Sequence, residues 1–399
     1  MITYLLVIIY LAFISLGLPD SLLGVTWPVM HLDLNASLGS AGVISMIISG
    51  GTIISSFMSG RVLRRFGTGK VTAVSVLMTA CALLGISYAP SFFWMIIPAI
   101  PLGLGAGSVD AGLNAYVAAH YKSYHMSWLH CFWGIGAMTG PFIMSQFMKG
   151  GHSWRGGYLT VAIIQFILVA ILFASLPIWE KAENGKDMQR EGKAGKSTAK
   201  PKKKQAKGWQ LLGLKGVKPV LLTFMIYCGV ESTLGLWGSS FLVHARKMDA
   251  STAAKWVALF YGGITLGRFL SGFLTIKLSN KTLIRIGLIT LLTGVLLIVF
   301  PLPVYISLPG FILAGLGCAP IYPCMLHETP VRFGTENSQS LMGIQMAIAY
   351  TGSTLLPPAF GYVASATTMA IFPFVILAYV IIMLASSERI NRVFAKYGK

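Results

Sequence analysis

Apolar residues gather into twelve stretches along this chain, and polar residues collect between them. Runs of spanning length lie at about 4–30, 40–60, 70–89, 91–119, 127–148 and 157–179. They resume at about 216–243, 252–275, 283–302, 305–326, 338–363 and 367–386. A helix needs roughly 20 apolar residues to cross a bilayer, so the pattern predicts an all-α membrane protein with twelve transmembrane helices. Between 180 and 215 the apolar pattern stops and the chain reads KAENGKDMQREGKAGKSTAKPKKKQAKG, which is too polar to bury a core. The expected organisation is a six-helix bundle over 1–179, a basic cytoplasmic linker over 180–215, a second bundle over 216–387 and a cytoplasmic tail over 388–399.

Words in the first bundle return in the second. Gly50-Gly51, Ser59-Gly60 and Gly103-Leu104-Gly105 recur as Gly262-Gly263, Ser271-Gly272 and Gly315-Leu316-Gly317, all at an offset of 212 residues. Asp20-Ser21-Leu22-Leu23-Gly24 has its counterpart in Glu231-Ser232-Thr233-Leu234-Gly235, one residue out of that register. A parallel repeat of six helices is the plan of a carrier whose halves rock about a central site.

Charge then orients the bundle. Arg61, Arg64, Arg65 and Lys70 follow the second run, Lys122 the fourth, and Lys277, Lys281 and Arg285 the eighth. Arg389, Arg392, Lys396 and Lys399 end the chain, whereas most of the alternate connections are poor in bases. The positive-inside rule therefore puts both termini in the cytoplasm. The same rule accounts for the net charge of +19, which in a soluble chain would suggest nucleic acid. With 55% hydrophobic and 11% charged residues, the chain is expected to be a multi-pass protein of the cytoplasmic membrane, with no nucleic-acid partner. The linker is read as a tether, or as a segment that touches anionic headgroups. MITYLLVIIY lacks a basic n-region and a cleavage site, so it is expected to be the first spanning helix. The five cysteines lie in apolar runs without metal-like spacing and read as packing residues.

Three acids stand deep in apolar runs: Asp20 in the first, Asp110 in the fourth and Glu231 in the seventh. A charged residue at the middle of a membrane helix costs roughly 2.5–3.5 kcal/mol on insertion scales, so such acids should face a protein interior or a watery cavity. There they can take up and release protons as access alternates, or serve as hydrogen-bonding glue between helices. Asn114, four residues after Asp110, shares its helix face and offers both donor and acceptor to a hydroxylated solute. Trp27, Trp133, Tyr227 and Trp237 could wall a ring-shaped substrate or could pack. His130 could relay protons or cap a polar network, and Gln345 could bind solute through its amide. Arg268 is expected near the cytoplasmic end of the eighth helix, snorkelling to the interface. Gly103 and Gly107 share a helix face and read as a close-packing surface. No hydrolase, kinase or phosphate-loop signature is present, so no enzyme activity, metal or cofactor is expected.

On the twelve-helix repeat and on GRVLRRFGTGK after the second helix, the chain resembles the major facilitator superfamily. That signature normally carries an acid where Arg64 stands, so the gate implied for Arg61, Arg64, Arg65 and Arg268 departs from the usual one. The pairing of Asp110 with Asn114, the acid Asp20, and the words YCGVESTLGLW, GLGCAPIYP and LLPPAFGY resemble the fucose, galactose and glucose proton symporter group. This resemblance implies a monomeric sugar–proton symporter, with Asp110, Asp20 and Glu231 coupling protons. Asp20, Asn114, His130, Trp133, Tyr227, Glu231, Trp237 and Gln345 would contact the solute. Fucose carriers have amides near the positions of His130 and Trp133, so this pocket should differ from theirs. GAMTGP, from Gly136 to Pro141, is similar to a motif of superfamily antiporters and keeps open a proton-coupled exporter of a drug or metabolite. A membrane sensor signalling through the linker is the third reading.

Overall fold

The computed structural model describes residues 2–121, 123–149, 153–181, 208–300 and 303–395. Of the expected linker only the two ends fall within these ranges. Among the described residues the chain is helical throughout. Helix α1 runs in two segments, Ile2–Asp20 and Leu22–Asp33, and is followed by α2 (Ser40–Phe66), α3 (Thr68–Ser87), α4 (Phe92–His120), α5 (Ser123–Met148) and α6 (Trp154–Ala174). The second half comprises α7 (Val217–His244), α8 (Ala250–Leu274), α9 (Asn280–Val299) and α10, itself in two segments, Ser307–Cys318 and Ile321–Phe333. It ends with α11 (Thr335–Ala366) and α12 (Phe372–Ala395). Ten of these helices are long and apolar enough to cross a membrane. The other two, α5 and α11, are 26 and 32 residues long and complete the twelve. An even number of crossings brings Ile2 and Ala395 to the same face.

The helices begin where side chains can satisfy free backbone N–H groups. Ser91 accepts from Trp94 N at 3.4 Å, Asp249 from Thr252 N at 2.9 Å and Ser279 from Thr282 N at 3.2 Å. Inside the membrane, prolines leave carbonyls without their usual donor, and no water is at hand to replace it. Pro19 frees the Ser15 carbonyl, which accepts from Gln165 Nε2 of α6 at 2.7 Å, while the Ser15 hydroxyl donates to Gln165 Oε1. Pro141 frees the Ala137 carbonyl, which accepts from Ser21 Oγ at 2.8 Å. Both repairs flank the break at Ser21, the residue between the two segments of α1. They fix the end of the first segment, where Asp20 stands.

Close backbone approach holds each half together. A methyl group on Gly103 would run into the Ile48 carbonyl of α2, and one on Gly315 into the Phe260 carbonyl of α8. The repeated glycine word is therefore a packing surface in both halves. Between the halves, contact concentrates at the face opposite the termini. There Gly24 meets the backbone of Gly235, Ser239 Oγ donates to Val25 O at 3.3 Å, and Ser251 Oγ donates to Ser145 O at 2.8 Å. Among the described residues no ion pair joins one half to the other.

Candidate functional site

A cavity of about 260 Å³ lies between the halves and is lined from both. From α1 it takes Asp20 and from α7 Glu231 and Ser232. Trp133, Tyr261, Tyr350 and Ser353 come from α5, α8 and α11, and Ser45, Ser49 and Thr52 from α2. The volume far exceeds the roughly 10–15 Å³ that a single water needs on the same measure, so the space suits a small solute. Its lining mixes apolar side chains, among them Leu83, Ile86 and Met95, with the carboxylates and hydroxyls.

Four side chains form a continuous polar chain across the molecular middle. Trp133 Nε1 donates to Asp20 Oδ2 at 2.7 Å. The face of the same indole carries the Arg268 guanidinium, 5.0 Å from the ring centroid, a distance within the range of cation–π attraction. Arg268 in turn pairs with Glu231, Nη2 to Oε1 at 3.7 Å, and both side chains are largely buried. The series Asp20, Trp133, Arg268 and Glu231 thus passes from the first half into the second at the indole face. Arg268 does not snorkel to the surface as its sequence position suggested. The counter-charge of Glu231 and the indole face draw it inward, which removes it from the expected set of basic-face residues.

Asp110 lies beside the cavity rather than in its lining. Asn114 Nδ2 donates to Asp110 Oδ1 at 2.8 Å and to the Asp110 carbonyl at 2.9 Å. The amide expected to greet a hydroxylated solute is therefore committed to the acid through its nitrogen. Tyr350 of the opposite half lines the cavity and lies near Asp110, so it stands between the acid and the solute space.

Other expected contacts fall outside the lining. Trp237 is fully buried and donates to Pro357 O at 2.8 Å. It lies six residues beyond Glu231, about 240° around a helix, so it faces α11 and not the cavity. Trp27 is likewise buried and donates to Leu38 O at 2.6 Å. Gln345 is buried and accepts from Thr329 Oγ1 at 3.0 Å. His130 packs edge-on against Phe13, with ring centroids 5.9 Å apart. Tyr227, one turn before Glu231, is buried behind the cavity against Tyr322. Arg61, Arg64 and Arg65 are exposed at the end of α2.

Sequence reasoning missed Tyr261 and Tyr350. Tyr261 precedes Arg268 by seven residues, two helical turns, so it shares that face and could have been found from the spacing. Tyr350 carried no such signal. Among the described residues no group of three or more metal-ligating side chains is present.

The model of the Major Facilitator Superfamily matches residues 9–357. The chain belongs to this superfamily. Its relatives include the glucose/mannose transporter GlcP of Bacillus subtilis, 22% identical over 96% of this chain and 94% of that protein. Bypass of stop codon protein 6 of Saccharomyces cerevisiae is 22% identical over 94% of this chain and 80% of its own length. Among solved structures, a variant of the nucleoside transporter NupG superposes with a TM-score of 0.75 at 14% identity, covering 96% of this chain and 98% of that one. As a Major Facilitator Superfamily member the chain is a multi-pass membrane transporter of small-molecule substrates and not an enzyme.

Proposed function

We propose that this transporter moves a sugar or similar polyhydroxylated solute by proton symport, as a member of the fucose, galactose and glucose symporter group. The observation that carries the reading is the pair of carboxylates from opposite halves, Asp20 and Glu231, facing one cavity that serine and threonine hydroxyls also line. Carboxylates accept from sugar hydroxyls, hydroxyl side chains both donate and accept, and the Trp133 and Tyr261 rings offer flat faces to a pyranose. The likeness to a protein named as a glucose/mannose transporter points the same way.

Asp110 couples the proton in this reading, because a membrane-embedded acid beside the cavity, with Tyr350 of the cavity lining near it, can respond to occupancy. Asp20 and Glu231 bind solute hydroxyls and contribute to coupling. Solute and proton shift the equilibrium between inward-open and outward-open forms by their differential affinity for the two. Arg61, Arg64 and Arg65 stand where the basic-face gate closes in the outward-open form.

The test is uptake by proteoliposomes under an acid-outside gradient, with a panel of labelled sugars. The expected result is gradient-driven accumulation of at least one sugar, abolished in Asp110→Asn while equilibrative exchange persists. Accumulation that survives Asp110→Asn would remove the coupling role. Efflux driven by the opposite arrangement, with no sugar dependence, would favour the exporter reading that GAMTGP motivates.

A further inference from the structure

At the closed face, away from the cavity, two histidines meet across the boundary between the halves. His31 comes from the second segment of α1 and His244 from the end of α7, with ring centroids 5.6 Å apart. His31 Nδ1 lies 3.2 Å from the Ala36 carbonyl. A carbonyl can only accept, so Nδ1 carries the proton and Nε2 presents its lone pair. That Nε2 is buried without a partner, and so is Nε2 of His244. Leaving two imidazole nitrogens dry and unsatisfied is unfavourable, and the tryptophan beside them, Trp27, donates elsewhere.

Of the charged neighbours, Asp33 and Arg246 are occupied, and the Lys247 charge bears on His244 and favours its neutral form. Asp33 accepts from Trp154 Nε1 at 2.7 Å and pairs with Arg155 at 3.6 Å. Arg246 donates to the carbonyls of Ile298 and Phe300. Lys247 is exposed in the loop after α7.

We propose that His31 and His244 form a binding site for a borderline-soft divalent cation, with Zn²⁺ as its best representative, and that occupancy fastens the outer gate shut. Neutral imidazole nitrogen is the preferred protein donor for such ions, and a ligating histidine commonly donates its other N–H to a backbone carbonyl, as His31 does. Two protein ligands, one from each half, hold an ion less tightly than the closed set of four found in structural sites. Such a site exchanges readily and suits inhibition better than permanent structure. Because one ligand moves with each half, outward opening must break the site, so the ion binds the inward-facing form selectively. The site is independent of the solute and of the coupling residues.

The test is thermal unfolding of the purified full-length protein in detergent at neutral pH, with Zn²⁺ titrated and Mg²⁺ as control. Zn²⁺ at about tenfold its Kd should raise Tm by about 3–6 °C, and Mg²⁺ should not. The shift should vanish in His31→Gln and in His244→Gln, each of which keeps a polar side chain. It should also fade as pH falls through the imidazole range, because protons compete for the same lone pairs. No Zn²⁺ shift in the parent protein, or a shift of equal size in both variants, would overturn the proposal. Since no transport is measured, failure here leaves the sugar-symport reading to its own experiment.

Discussion

Replacing Glu231 by Gln removes the carboxylate that faces Arg268 across 3.7 Å while preserving side-chain shape. At an effective dielectric of about 20, two unit charges at that separation attract by about 4.5 kcal/mol. The side chains are 14% and 17% exposed, so solvent screens them little. Breaking one member of a buried pair typically costs about 3–5 kcal/mol, and the long contact puts this one near 3. Arg268 keeps its place over Trp133, but an aromatic face does not replace a counter-ion. Arg268→Met should cost less, because a carboxyl left alone can take up a proton whereas a guanidinium cannot release one. The double variant, with no charge to strand, should recover at least about half of the Glu231→Gln loss. Thermal unfolding of all four proteins in detergent measures this, with an expected fall of about 6–12 °C for Glu231→Gln at 2–4 °C per kcal/mol. A single variant within about 0.5 kcal/mol of the parent, or a double variant as unstable as the sum of the singles, would refute the reasoning.

Gln165→Leu should cost about 1–3 kcal/mol by stranding the Ser15 carbonyl. Adding Pro19→Ala restores a backbone donor to that carbonyl, so the pair should be more stable than Gln165→Leu alone in the same unfolding assay. Gly103→Ala forces α4 away from the Ile48 carbonyl and should cost about 1–3 kcal/mol. Gly50→Ala, where nothing lies within 4 Å, should be silent, and equal losses for the two would contradict the packing account. Asp249→Ala removes the α8 cap at about 1 kcal/mol. The hydrogen bond with the Thr252 side chain holds the Asp249 carboxyl below its ordinary range. Its contribution is thus present above the usual aspartate pKa and lost as pH falls through the lower folded value. The stability gap between parent and Asp249→Ala should accordingly close in acid, as read by unfolding at pH 7 and below pH 4.

The architecture was legible because membrane solvation enforces it. Apolar runs must be helices of spanning length, and a repeat at constant offset can only be two similar bundles. The boundaries moved where prolines intervene: the run read as 4–30 divides at Ser21 and the run read as 305–326 at Ala319 and Pro320, since a missing N–H leaves no visible trace in hydropathy. Asp20, Glu231 and Asp110 were readable as anomalies of charge, and the structure gathers the first two at one cavity. Arg268 was misplaced because position along a helix says nothing about which way a long side chain turns when an acid and an indole face wait inside. Trp237 could have been set aside from helical geometry alone. Tyr350 could not have been found, since its place in the cavity depends on α11 of one half packing against α2 of the other.

The seam at the closed face is stitched with hydroxyl-to-carbonyl bonds and glycine backbone contacts, and among the described residues no salt bridge crosses it. Each such bond contributes about 0.5–1.5 kcal/mol net, and water can take over its acceptor when the seam parts. The barrier to exposing the other side is therefore assembled from small, replaceable steps. A carrier fastened by buried ion pairs would strand charge at every turnover, whereas this one can unzip and reseal at thermal energies, leaving the occupancy of its cavity to decide when it does.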